Sequence, residues 1–260
     1  FTEEAIAVIE RRRDAGKRLM LYLAYPAPHT PWLPSPRFQG QSGAGLYGDF
    51  LMMVDHEIGR VLAALESAGM FDETLLVFAS DNGPVWYPAD TARFGHDSAG
   101  GLRGMKADAW EAGHRLPFIV RWPGTVRAGS VCDQTISFTD LLATVAEVVG
   151  TELPAEAGPD SFSFLPALKG GTFRRAPIVM QSGSGFMTIR SGRWKLIEGL
   201  GSGGFSKPSR IKPGPDDPAG QLYDLIADPA EATNRFAAEP AIVERLRAEM
   251  RRIVDARRSR

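Results

Sequence analysis

Leu75 to Gly124 reads LLVFASDNGPVWYPADTARFGHDSAGGLRGMKADAWEAGHRLPFIVRWPG. A short apolar run, Leu75 to Ala79, stops at Ser80-Asp81-Asn82-Gly83, and a second, Phe118 to Trp122, stops at Pro123-Gly124. Short apolar runs bounded by turn formers are the pattern of buried strands. Between them stand Lys106, His96, His114, Arg93, Arg103 and Arg115. The stretch therefore predicts two buried strands with a polar site between them.

Upstream, the chain opens at Phe1 and goes straight into a helical pattern, as a segment beginning partway through a domain would. Thr2 is its candidate N-cap, Ile6 and Ile9 its apolar positions, and about Asp14 its end. Leu19 to Tyr25 (LMLYLAY) is apolar on both faces, which predicts a central strand of a covered parallel sheet. It runs into PAPHTPW, where three prolines exclude regular structure and place His29 on a stiff loop. Leu51, Val54, Ile58, Val61 and Leu65 recur at helical spacing, predicting a helix over Tyr47 to Ala68. A helix between two apolar strands implies a right-handed crossover, with Leu19–Tyr25 parallel to Leu75–Ala79. His29 and Asp81-Asn82 are then expected at the same sheet edge, facing one crevice.

Downstream, Asp140 to Val149 predicts a helix with Thr139 as cap and Gly150 as stop. Residues 151–172 are rich in Pro and Gly and mark the expected boundary, giving domains over 1–152 and 153–260. Beyond it Ile178–Gln181, Phe186–Arg190, Trp194–Ile197 and Leu222–Leu225 read as short strands, with a hairpin at Ser191-Gly192-Arg193. Ala241 to Arg257 closes the chain as a helix on an Ile242, Leu246, Met250, Ile253 stripe.

The 260 residues are 43% hydrophobic and 23% charged with a net charge of −1, which gives no reason to expect nucleic acid or an anionic membrane as partner. The basic tail from Arg245 to Arg260 is interspersed with Glu249 and Asp255 and suits a docked helix with a solvated face. No spanning segment or signal peptide is visible. The single Cys132 excludes an intrachain disulfide and does not report the compartment.

Several side chains carry possible chemistry, each with a plainer alternative. Asp81 and Asn82 at a strand exit offer hard oxygen ligands to a cation such as Ca²⁺, or form an ordinary turn. Arg103 and Lys106 follow Gly100-Gly101, which could bring two cations to an anion; alone, they read as solvated surface residues. His29 and His96 lie in polar loops, where a histidine serves as a general acid or is simply a loop residue.

The order of the pieces is more specific than any one of them. PAPHTPW, VDHEIGRVLAALE, SDNGP and GGLRGMKADAWEAGHRLPFIVRWPG together resemble the second half of a type I sulfatase of the arylsulfatase kind. FTDLLATVAEVVG, RSGRWKLI and QLYDLIADPAEATN are similar to the same family's linker helix, C-terminal hairpin and closing strand. The resemblance implies an α/β fold: a partial alkaline-phosphatase-like mixed sheet flanked by helices, with a small C-terminal α+β subdomain. It implies Asp81 and Asn82 as ligands of a divalent cation, usually Ca²⁺, Lys106 in contact with the sulfate ester, and His29 assisting the leaving oxygen. His96 and Arg103 are implied as substrate-binding residues. Zinc phosphatases of this fold carry Asp-His where this chain has Asp81-Asn82, and an amide oxygen favours the harder cation.

Family members also carry, upstream, an Asp-Asp pair and a Cys-x-Pro-Ser-Arg or Ser-x-Pro-Ser-Arg motif whose first residue becomes formylglycine. Neither is expected in this chain, and Cys132 does not fill that role. Ala107 and Ala112 stand where glycine is usual. The expected activity is hydrolysis of a sulfate monoester, on a small molecule or a sulfated glycan; the resemblance makes a periplasmic or extracellular compartment plausible, and the sequence itself leaves the compartment unknown. This chain alone is expected to be catalytically incomplete. The alternatives are a phosphodiesterase or phosphonate monoester hydrolase of the same superfamily, or a non-catalytic remnant.

Overall fold

The computed structural model describes residues 1–13 and 15–260. They form six helices of α type, α1 (Thr2–Arg12), α2 (Gly45–Ser67), α3 (Pro88–Phe94), α4 (Asp140–Val149), α5 (Leu165–Leu168) and α6 (Pro240–Ala256). Six strands accompany them, β1 (Leu76–Ala79), β2 (Phe118–Arg121), β3 (Ile178–Gln181), β4 (Met187–Ser191), β5 (Trp194–Ile197) and β6 (Gln221–Asp224). β1 and β2 make a two-stranded sheet, and β3 to β6 an antiparallel sheet in sequence order. The class is α/β, with a C-terminal α+β portion. By compactness the chain divides into two units, residues 1–76, 88–96 and 120–123, and residues 77–87, 97–119 and 124–260. The 151–172 stretch lies inside the second.

In the first unit, α1 and α2 share an apolar cluster built on Ala5, Ile9, Val61 and Leu65, with Leu19, Leu23 and Leu76 against it. Thr2 lies inside α1 rather than capping it; Phe1 holds the cap position and the Thr2 hydroxyl is 2.9 Å from that of Tyr25. The expected end of this helix, Asp14, lies outside the described residues. α2 carries the buried Asp49, whose carboxylate accepts N–H groups from Gly40, Gln41 and Ser42 at 2.8, 3.1 and 2.9 Å. The Ser42 and Gly40 backbone bonds hold its carboxyl below the usual range.

Leu19–Tyr25 is a correction. It was expected as a central parallel strand beside β1, yet it enters no ladder among the described residues. Its Leu19 and Leu23 pack on the helices, while Met20 and Tyr22 point to solvent, 79% and 85% exposed. The sequence pattern reports that both faces suit an apolar environment; a strand also needs backbone partners, which pattern does not supply.

In the second unit, period-two alternation sorts the C-terminal sheet. Ile189, Leu196 and Leu222 face α6 and meet its Val243, Leu246 and Met250. Each such fully buried aliphatic chain is worth about 1.5–3 kcal/mol over an exposed one. The opposite face turns Ile197 and Tyr223 toward Ala109 and Trp110, and so brings the sheet against the segment carrying Lys106.

Candidate active site

β1 ends at Ala79, and the chain turns through Asp81, Asn82 and Gly83. The turn is clamped by the segment 103–114: Gly83 N–H donates to Gly113 O at 3.1 Å, and Lys106 N–H to Pro84 O at 2.8 Å. Gly83 is required by close approach, since a Cβ there would lie 1.6 Å from Ala112 O. These backbone bonds bring the candidate cation pair and Lys106 into adjoining segments. Asp81 is exposed, whereas Asn82 is half-buried and spends its Nδ2 on Gly83 O at 3.0 Å, leaving its side-chain oxygen as the acceptor. Two hard oxygens fit part of a Ca²⁺ shell of about six to eight. No group of three or more His, Cys, Asp or Glu suited to a metal occurs among the described residues.

Lys106 is half-buried and is followed by Ala107 at φ 73°, in the left-handed region where glycine is freest. That is the physical meaning of an alanine where glycine is usual. Ala107 O accepts Gly183 N–H at 2.8 Å, and Asp108 holds the turn by accepting Met105 N–H at 2.9 Å and Ser206 N–H at 3.1 Å.

Arg103 is committed to packing. Its guanidinium lies 3.7 Å from the Trp110 ring centroid, and Nη1 donates to Glu231 O at 2.7 Å and to the Tyr223 hydroxyl at 3.3 Å. Burial pushes the Tyr223 hydroxyl up to about 12, against the opposing pull of Arg103, so it stays protonated. His29 belongs to the first unit and is exposed; its Nδ1 lies 2.7 Å from Thr30 O, which fixes Nδ1 as the donor and leaves Nε2 outward. The peptides Ala27–Pro28 and Thr30–Pro31 on either side of it are cis. His96, also in the first unit, is exposed.

Sequence reasoning missed the most enclosed charges of the second unit. Lys195, in the middle of β5, is fully buried, with Nζ 3.1 Å from Glu111 Oε1, 2.9 Å from Glu231 Oε1 and 3.2 Å from His114 Nε2. Arg190 Nη1 reaches Glu111 Oε2 at 3.0 Å, and Glu111 N–H donates to Glu231 Oε2 at 2.6 Å. Burial pushes the Glu111 carboxyl up, but Lys195 and Arg190 outweigh it and hold it below the usual range. Burial wins at Glu231, which is raised despite Lys195. Burial and then Lys195 drive His114 down to about 3, so it is a neutral imidazole. A lone lysine between Trp194 and Leu196 is the available signal, and it reads as a solvent-facing position unless the loop covering that face is known.

One expected absence is also corrected. Ser206-Lys207-Pro208-Ser209-Arg210 spells Ser-x-Pro-Ser-Arg, downstream of the site rather than upstream. It lies in the loop between β5 and β6, where Ser206 is tied by its N–H to Asp108 and by its carbonyl to the Ser202 hydroxyl at 2.6 Å.

With this geometry in hand, the comparisons decide the family. The family model described as Sulfatase matches residues 1–151. This chain belongs to the sulfatase family. It is 38% identical over 232 residues to an N-acetylgalactosamine-6-O-sulfatase of Bacteroides thetaiotaomicron, covering 87% of this chain and 45% of that protein. It is 37% identical over 169 residues to the steryl-sulfatase of Mus musculus, covering 65% of this chain and 27% of that one. A solved structure connected with the metabolism of multiple glycosaminoglycans by Bacteroides thetaiotaomicron superposes with a TM-score of 0.85 at 35% identity, covering 97% of this chain and 53% of the other. Another, at TM-score 0.57 and 26% identity over 79% of this chain and 39% of the other, is a complex with its substrate D-glucosamine-2-N,6-O-disulfate. The chain thus spans about half the length, or less, of the relatives it matches.

Proposed function

We propose that the protein to which these residues belong hydrolyses a sulfate monoester, and that the ester is carried by an amino sugar of a sulfated glycan. The observation that carries the reading is the backbone clamp joining Asp81-Asn82 to Lys106 in a chain of the sulfatase family. Asp81 and Asn82 would hold a divalent cation, Ca²⁺ by the hardness of their oxygens. When bound, the cation neutralises charge on the sulfuryl oxygens, and the family's chemistry also calls for a formylglycine nucleophile. Lys106 adds a fixed positive charge to those oxygens. His29, whose Nδ1–H is held by Thr30 O, would donate from Nε2 to the departing oxygen as the imidazolium, which carries a proton on both ring nitrogens. In this reading His96 acts on the substrate side, while Arg103, its guanidinium held by Trp110 and Glu231 O, positions the segment that carries Lys106.

The glycan class is favoured by the amino-sugar relative and by the disulfated glucosamine bound in the related structure. A periplasmic or extracellular compartment accompanies it. Paired assays on an aryl sulfate and a phosphate diester, with Lys106→Ala alongside, test the activity. Sulfate should be preferred, and the variant should lose about a hundredfold or more in kcat. Preference for the diester, or an unaffected Lys106→Ala, would overturn the reading.

A further inference from the structure

We infer that a cleft at the start of β3 binds an anionic group of the substrate, a sulfate or a uronate carboxylate, apart from the ester being cleaved. The inference takes its ligand class from the sulfated-glycan reading. The cleft has a volume of about 370 Å³, and Gln134, Phe173, Arg174, Arg175, Arg190 and Ser191 are among its lining. Three of its walls are arginines and none is a carboxylate. It is built by the sheet: Ile178 opens β3 opposite Arg190 of β4, and the 173–177 segment leading into β3 forms the rim.

The three arginines are not equivalent. Arg175 is saturated, with Nε and Nη2 on the Asp140 carboxylate at 3.0 and 3.2 Å and further bonds to the carbonyls of Ala176 and Asp160. Arg190 gives Nη1 to Glu111, and its Nε, closed off from solvent, has no acceptor among the described residues. Arg174 is exposed and has no ion pair among the described residues. A guanidinium offers five N–H donors in a planar fork matched to an oxyanion. The cleft therefore keeps one whole fork and part of another without a protein partner, beside a third already neutralised. Arg175 and Arg190 are paired with Asp140 and Glu111, so the uncompensated charge of the cleft is that of Arg174, which an anion would neutralise. Arg190 also links the cleft to the site, because Glu111, which it holds, lies five positions along from Lys106 in the clamped segment.

The test is binding rather than turnover, so it stands apart from the hydrolytic reading. The 260-residue chain is titrated with sodium sulfate, with sodium glucuronate, and with a uronate-containing disaccharide bearing one sulfate, each against sodium chloride at equal ionic strength. The arginine Nε–H resonances are followed by NMR. The Arg174 and Arg190 signals should shift saturably. Arg174→Ala should weaken binding about tenfold or more and Arg174→Glu abolish it, while Lys106→Ala leaves it unchanged. Response to sulfate alone or to glucuronate alone names which group the cleft takes. Binding lost in Lys106→Ala and kept in Arg174→Ala would assign it to the ester site and overturn the inference. Shifts matched by chloride would overturn it as well.

Discussion

His114 sits with Nε2 3.2 Å from the Lys195 ammonium, a neighbour that can donate to a neutral imidazole and repel a protonated one. Burial, and then that charge, bring it to about 3 from an ordinary 6.5. The unfolded chain therefore binds a proton that the folded chain refuses between these values. Stability must rise with pH across that window and be lost as pH falls through it, by about 1.4 kcal/mol per unit for a single group. Glu231, raised above its ordinary value by burial, works in the opposite direction above 4.5. The difference between wild type and variant isolates the histidine. In His114→Gln the fall in urea-unfolding free energy from pH 6.5 to pH 4.5 should be shallower by about that slope. Parallel profiles for the two proteins would show that the ring is accessible and titrates normally.

At the scale of elements, the helices and the C-terminal strands were legible because their residues satisfy one period and one neighbour. α4 ends on Gly150 at φ 73°, and β4 and β5 turn at Gly192, both as read from the pattern. What was not legible depends on what lies opposite. Leu19–Tyr25 carries the composition of a strand but not its partners, and Lys195 has the alternation of a solvent face that a loop has covered. Of the candidate site, the Asp81-Asn82 turn could be read from local residue types and Lys106 only through the family resemblance, whereas the hydrogen bonds of Arg103 join the site segment to β6 and a distant glutamate.

Asp49 shows the same dependence inside one helix. Within the apolar face of α2 it would be an error of patterning, but three amides of the 40–42 segment converge on it. Asp49→Ala removes all three acceptors at once. Hydrogen exchange at Gly40, Gln41 and Ser42 should accelerate strongly while α6 and β4–β6 stay protected, and uniform acceleration across the chain would show that Asp49 supports the fold globally instead.

For the molecule as a whole, the balance of apolar surface is uneven. Met20 and Tyr22 are 79% and 85% exposed and Ile119 of β2 is 59% exposed, although each alternates with residues that are packed inward. A large apolar side chain gains about 1.5–3 kcal/mol on full burial, so two or three left in water are a standing drive toward association. The net charge of −1 opposes it little. The measurable consequence belongs to the chain itself. Sedimentation velocity should show weight-average mass rising with concentration, and an apolar dye should brighten on binding. Met20→Lys with Tyr22→Lys should reduce both, because each replaces an apolar group by a hydrated charge without touching Leu19 or Leu23, which pack on α1 and α2. A chain that stays monomeric at every concentration and leaves the dye dark would mean that these side chains find cover within the molecule in solution.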